Sequence, residues 1–263
     1  MTFPSIEELR EARLRVALDG VVLTITLDLP ERRNSQTPRL WHTLDAIGQA
    51  LPEEVRVVVV RGAGDCFSAG IDTRLLGPEG IEGEESVHEL MQGSDEHVLS
   101  TIDGYQRGFT WLADPRFVSV AVVHGFAIGA GFQLALACDL RVVADDARFC
   151  MKEPALGLVP DLAGTKPLVE CVGYSRALEI CATARFVGAD EAGRLGIATV
   201  VTPREQLDET TSDLVGALLA SSEGAVRETK ALLQQAGAHD LEGQCLAERQ
   251  AQVRRFRALV RGA

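Results

Sequence analysis

The chain has 263 residues, with 26 Lys and Arg against 38 Asp and Glu, for a net charge of −12. Its 46% hydrophobic and 24% charged residues are ordinary for a globular protein, and the length can bury a full core without disulfide or metal staples. The acidic balance argues against a general nucleic-acid binder, and no apolar run reaches the roughly 18 residues of a membrane span. In chain order, the polar start through residue 12 reads as a mobile arm and resembles neither a secretory signal nor an Arg-rich transit peptide. Period-2 alternation on both sides of Asp19-Gly20 predicts a β-hairpin from Leu14 to Leu27. Residues 28–38 read as a loop. Leu40, Leu44, Ile47 and Leu51 follow helical spacing behind Ser35 or Thr37 as N-cap. Val55 to Val60 is a buried strand, followed by a Gly-rich turn from Gly62 to Arg74. Residues 77–96, rich in Gly and acids and poor in periodicity, read as a mobile surface lid. Ile102, Tyr105, Phe109 and Leu112 predict a helix ending before Pro115. A second buried strand from Phe117 to Val123 leads through Gly125–Gly131 into a helix reaching Cys138. Leu140–Val143 and Ala147–Met151 read as strands. After Gly164 the pattern is helical, apart from a strand at Ala198–Thr202. This alternation implies an α/β core with crossover connections, and the helical last third implies a cap or assembly surface.

Four constellations carry possible chemistry. The small residues from Gly62 to Asp72 can aim backbone N–H groups at an oxyanion or phosphate, or form an ordinary turn. Gly125 to Gly131 opens a helix after a strand, but Leu134 stands where a dinucleotide fingerprint has its third glycine. Ser68 lies in Cys66-Phe67-Ser68-Ala69-Gly70, which departs from the GxSxG nucleophile elbow at Cys66. Glu153 and Asp161 lie eight apart in an apolar, Pro- and Gly-rich stretch, where desolvation would raise a carboxyl toward the range of proton transfer. Arg32, Arg33 and Arg74, and the C-terminal Arg249, Arg254, Arg255, Arg257 and Arg261, are either solvated or phosphate-binding. The six cysteines form no CxxC pair, which suits a reduced cytoplasmic protein, and the five histidines show no metal-ligand spacing.

Phe67-Ser68-Ala69-Gly70-Ile71-Asp72 and His124-Gly125-Phe126-Ala127-Ile128-Gly129-Ala130-Gly131, with Arg33-Asn34-Ser35 and the segment from Phe149 to Thr165, resemble the crotonase superfamily, the enoyl-CoA hydratase/isomerase family. The resemblance implies an α/β fold. Its core would be a ββα spiral over residues 1–200, with a C-terminal helical trimerisation region over 201–263. It implies an acyl-CoA thioester substrate, a homotrimer or hexamer, and no metal or redox cofactor, since coenzyme A belongs to the substrate. The thioester oxygen would meet the N–H groups of Ile71 and Ala130. Arg33, Ala69, Asp72 and Arg74 would bind coenzyme A. Of the two glutamates used by the family's hydratases, one matches Glu153 and the other falls at Gln133, which cannot act as a base. The Glu153/Asp161 spacing resembles the dienoyl-CoA isomerases, although those carry Asp at the Gln133 position. The resemblance therefore favours a double-bond shift, with Glu153 as main proton shuttle, Asp161 as second group and Gln133 orienting substrate or water. A 2-enoyl-CoA hydratase using Glu153, a non-catalytic acyl-CoA binder and a thioesterase are the alternatives.

Overall fold

The computed structural model describes residues 2–261, so Met1, Gly262 and Ala263 of the two expected end segments lie outside it. The chain opens with helix α1 (Ile6–Glu11), then the hairpin β1 (Leu14–Asp19) and β2 (Val22–Leu27), helix α2 (Pro38–Gln49) and strand β3 (Val57–Gly62). Helices α3 (Val87–Leu90) and α4 (Asp95–Thr110) precede β4 (Val118–Val123), β5 (Phe126–Ile128), helix α5 (Ala130–Ala137), β6 (Leu140–Ala144) and β7 (Arg148–Cys150). Then come α6 (Thr165–Val172), α7 (Tyr174–Thr183), β8 (Val187–Gly188), α8 (Ala189–Leu195) and β9 (Val200–Thr202). The chain closes with α9 (Leu207–Ala220), α10 (Glu223–Gln235) and α11 (Leu241–Val260).

A six-stranded sheet runs in the order β1-β2-β3-β4-β6-β9, parallel except for the β1/β2 hairpin. A second sheet joins β5, β7 and β8. Single parallel bridges, Gln36 to Ile71 and Ser68 to Ala127, extend this second layer toward the early loops. Each turn of chain thus places a strand in one sheet and a shorter segment in the other, the spiral the resemblance implied. The main core lies between the layers and α2, α4 and α5, with Phe67, Phe109, Phe132 and Phe149 wholly buried. The outer face of the large sheet packs Val57, Val120 and Val142 under Leu207 and α9, so its central strands are apolar on both faces.

Three expectations need correction. The first residues are a capped helix rather than a mobile arm. Ser5 Oγ accepts from Glu8 N while Glu8 Oε2 accepts from Ser5 N at 2.7 Å. Residues 77–96 contain α3, with a second such box between Ser86 and Glu89. Glu84 ties this segment down by accepting from Thr37 Oγ1 at 2.9 Å and Arg39 N at 3.0 Å. The hairpin turn also sits one residue later than Asp19-Gly20. Asp19 pairs with Val22, and Gly20 takes the positive φ of 56° that this tight turn needs.

Candidate active site

The Gly-rich loop after β3 is held by buried polar side chains. Asn34 accepts from Leu29 N with Oδ1, and its Nδ2 donates to the carbonyls of Ala63 and Cys66, both at 2.8 Å. Ser68 Oγ donates to Asn34 O at 2.7 Å and accepts from Gly70 N and Gln36 Nε2. Ser68 is fully buried and spent on these bonds, so it is a loop anchor and not an exposed nucleophile. Gly70 has φ +85°, and a Cβ there would stand 2.4 Å from Ile128 O and 3.3 Å from Ala130 N. The Gly70-Ile71 peptide therefore lies directly against the start of α5.

Gln36 bonds to Gly70 O and Asp72 N, the two residues flanking Ile71, so the Ile71 N–H faces away from that bridge. Neither Ile71 N–H nor Ala130 N–H meets an acceptor among the described residues. Ala130 is the first residue of α5, where amides lack intrahelical partners and the helix dipole adds positive charge. The unusual backbone falls on Gly129 instead, at φ 52° and ψ −120°, so Ala130 needs no left-handed conformation.

Glu153 opens a short 3₁₀ turn after β7 and faces this pair of amides across Gly129. A Cβ at Gly129 would come within 3.1 Å of Glu153 Oε1. Glu153 Oε1 accepts from Gln133 Nε2 at 2.7 Å, while Oε2 is buried with no partner. Burial pushes the Glu153 carboxyl above its ordinary value, the Gln133 hydrogen bond opposes this, and the Asp161 charge adds to it. Burial likewise raises the Asp161 carboxyl. The Asp161 carbonyl accepts from Gln106 Nε2 at 2.7 Å, tying the second acid to α4.

The basic side of the loop is organised around Asp72, which is 3% exposed. It accepts from Arg74 Nε at 3.0 Å and Nη2 at 2.8 Å, and Arg32 Nε lies 3.3 Å away. The Arg74 bonds hold the Asp72 carboxyl at about 2. Beside them is a concavity of about 470 Å³ lined by Arg13, Arg32, Arg39 and Arg74 together with the acids Glu11, Glu31, Asp72, Glu82 and Glu84. A larger cavity of about 650 Å³ lies elsewhere, between β1–β3 and the start of α9, and touches neither Glu153 nor Asp161.

The profile of the enoyl-CoA hydratase/isomerase family matches residues 18–260. The chain belongs to this family. It is 34% identical over 228 residues to the peroxisomal Delta(3,5)-Delta(2,4)-dienoyl-CoA isomerase of Arabidopsis thaliana, covering 84% of this chain and 80% of that one. It is 28% identical over 221 residues to the short-chain-enoyl-CoA hydratase of Clostridium acetobutylicum, covering 81% and 77%. A Thermobifida fusca YX protein assigned as an enoyl-CoA hydratase and crystallised with CoA superposes with a TM-score of 0.94 at 48% identity over 99% of both chains.

Within this enoyl-CoA hydratase/isomerase fold, the geometry brings together Ile71, Ala130, Glu153 and Gln133, and sets Asp161 in the same loop as Leu162, which Gln133 also binds. It does not place Gln133 where substrate or water could meet it. The side chain is fully buried, and its Oε1 accepts from Leu162 N at 2.9 Å and Gly164 N at 3.3 Å. Asp72 is also unsuited to touch an anionic ligand itself, since it is the buried counter-ion of two arginines. The Ala69 N–H is occupied by Arg33 O at 2.8 Å. Arg33 is exposed, with φ 54°, and makes no ion pair among the described residues. Gln36 and Gln106 are supporting residues that sequence reasoning missed, because single amide side chains carry no periodic signal, and Asn34 was legible only as part of the Arg33-Asn34-Ser35 resemblance.

Proposed function

We propose that this chain is an acyl-CoA enzyme that shifts a double bond through a thioester enolate. The observation that carries the reading is the half-buried Glu153, with its buried and unpartnered Oε2, beside the two amides of Ile71 and Ala130 that lack a partner among the described residues. One carboxylate takes the proton from the carbon next to the thioester carbonyl. The electron pair moves onto the carbonyl oxygen, where the Ile71 and Ala130 N–H groups stabilise it. The second carboxyl returns a proton to the far end of the conjugated system, so the product has the mass of the substrate. Glu153 is the main shuttle and Asp161 the second group. Burial raises both carboxyls above their ordinary values, the direction that favours proton exchange. The chemistry assigns no metal or redox cofactor.

Hydration of a 2-enoyl-CoA with Glu153 alone is the second reading, favoured by the likeness to the Thermobifida fusca protein. The absence of a second ionisable group at Gln133 weighs against it. Exposed Tyr174, Leu178 and Phe186, with Leu241, Phe256 and Leu259 on α11, support assembly into homotrimers or hexamers. All six cysteines are free, in keeping with a cytoplasmic setting.

The test offers purified protein 3-enoyl-CoA, 3,5-dienoyl-CoA and 2-enoyl-CoA and reads products by mass and ultraviolet absorbance. Isomerisation changes absorbance at constant mass, whereas hydration adds the mass of water. Glu153→Gln must abolish the turnover found. Full activity in that variant, or binding without turnover on all three substrates, overturns the proposal.

A further inference from the structure

We propose that Gln133 is a positioning residue that holds Glu153 by one carboxylate oxygen, leaving Oε2 as the single atom that exchanges a proton. The inference rests on the reading of Glu153 as the proton shuttle.

The argument begins with the amide itself. Gln133 is wholly buried on α5, and each end of its side-chain amide has a partner of fixed polarity. Leu162 N–H and Gly164 N–H both need an acceptor, which places the Gln133 oxygen toward them. The NH₂ group is thereby aimed at Glu153 Oε1, 2.7 Å away. Turning the amide over would set its NH₂ against two N–H donors and its oxygen against a carboxylate. Packing leaves the side chain one position, since even a Cβ on Gly164 would lie 2.6 Å from Gln133 Cγ. Gly129 closes the third side, where an added Cβ would stand 3.1 Å from Glu153 Oε1.

Two consequences follow. The carboxylate of Glu153 is divided by role, with Oε1 structural and Oε2 reactive. The same amide grips Leu162 and Gly164, so it also fixes the loop that carries Asp161. A carboxylate at position 133 could keep the bonds to Leu162 and Gly164, but it would face Glu153 at hydrogen-bond distance. The two acids would then have to share a proton. Glutamine is the residue of this size that grips both partners and adds no charge.

The test compares wild type, Gln133→Met and Gln133→Glu. Glu153 is titrated by carbon-13 carboxyl NMR, without substrate, and the pH profile of kcat/KM is measured on the substrate the wild type turns over. Loss of the amide donor in Gln133→Met moves the Glu153 titration and the acid limb of the profile up by about one pH unit. It lowers kcat about tenfold or more through lost orientation. In Gln133→Glu the pair titrates in two steps, the upper one well above the wild-type value. Turnover exceeds that of Gln133→Met at pH values where the new side chain is protonated and donates as the amide does. An unchanged Glu153 titration in Gln133→Met, with activity lost only in proportion to unfolded protein, overturns the proposal. If Gln133→Met fails to fold, a single unshifted titration in Gln133→Glu overturns it equally. The NMR titration needs no turnover, so it judges the clamp even if Glu153→Gln proves active and the shuttle reading fails.

Discussion

Gly70→Ala tests the oxyanion pair without touching either amide. The new methyl would sit 2.4 Å from Ile128 O, where side-chain β-carbons do not come under 3.0 Å, so the strand must retreat by about 0.6 Å. Both Ile71, the next residue, and Ala130, whose nitrogen lies 3.3 Å from the new carbon, share that displacement. A hydrogen bond of about 2.9 Å stretched by this amount reaches about 3.5 Å and is effectively lost. Losing one such donor costs about 3 to 4 kcal/mol in the transition state, or about 10² to 10³ in kcat. Alanine at φ +85° adds about 1 to 2 kcal/mol of backbone strain, expected as a fall in Tm of about 2 to 8 °C. The assay is steady-state turnover of the acyl-CoA substrate, with circular dichroism melts to confirm folding. A folded variant whose kcat stays within about threefold of wild type refutes the assignment of Ile71 and Ala130 to the developing oxyanion.

Two further predictions concern buried charge. Folding raises the Glu153 carboxyl, so its contribution to stability is full below the ordinary value of 4.5 and is lost as pH rises through the folded value. Glu153→Gln is therefore expected to melt above wild type at pH 8 and to lose that advantage near pH 4. Melts with a pH-independent difference would contradict this. Lys230 Nζ donates to Asp114 O, Phe117 O and Asp139 Oδ2 at 2.7 to 2.8 Å, docking α10 onto the core. Lys230→Met leaves Asp139 without its cation and is expected to cost about 3 kcal/mol in urea denaturation, with Asp139→Asn recovering part of the loss in the double variant. Unchanged denaturation would show that α10 is held by its apolar contacts alone.

What was legible in the sequence follows from the range of the interactions. The strands from Val57 to Val60 and Val118 to Val123 announce themselves because burial on both faces demands continuous valine-rich runs. That Ile71, Ala130 and Glu153 lie together was legible through motif resemblance, since the backbone bends that bring them together require Gly70 and Gly129 at fixed places. Helices α1 and α3 escaped a reading based on hydrophobic period, because neither buries an apolar stripe. Their signal was the Ser-x-x-Glu capping box, present at Ser5-Glu8 and again at Ser86-Glu89. The burial of Gln133 and the pairing of Asp72 with Arg32 and Arg74 are tertiary facts. A sequence shows an amide or a carboxylate at a position, but not whether its partner is a ligand or a neighbouring loop.

That distinction also bears on the net charge of −12. A polyanionic substrate class is at odds with an acidic chain only if binding reads the overall field. The concavity beside Asp72 gathers Arg13, Arg32, Arg39 and Arg74, yet Arg39 is matched by Glu11 and Glu84, and Asp72 is shared by Arg32 and Arg74. Glu31 and Glu82 line it as well, so the concavity as a whole carries no excess of positive charge; Asp72, buried and fixed, instead holds the Arg32 and Arg74 guanidinium groups together at one edge. Arg13, already in that lining, and Arg33 make no ion pair among the described residues, and each sits on a backbone of positive φ secured through its own carbonyl, which accepts from Asp28 N and Ala69 N respectively, both at 2.8 Å. Ionic screening over about 8 Å confines what an approaching anion feels to such neighbours. Acids on distant exposed helix faces therefore count little at this loop, and an approaching anion would meet individually placed guanidinium groups among local carboxylates rather than a net positive field.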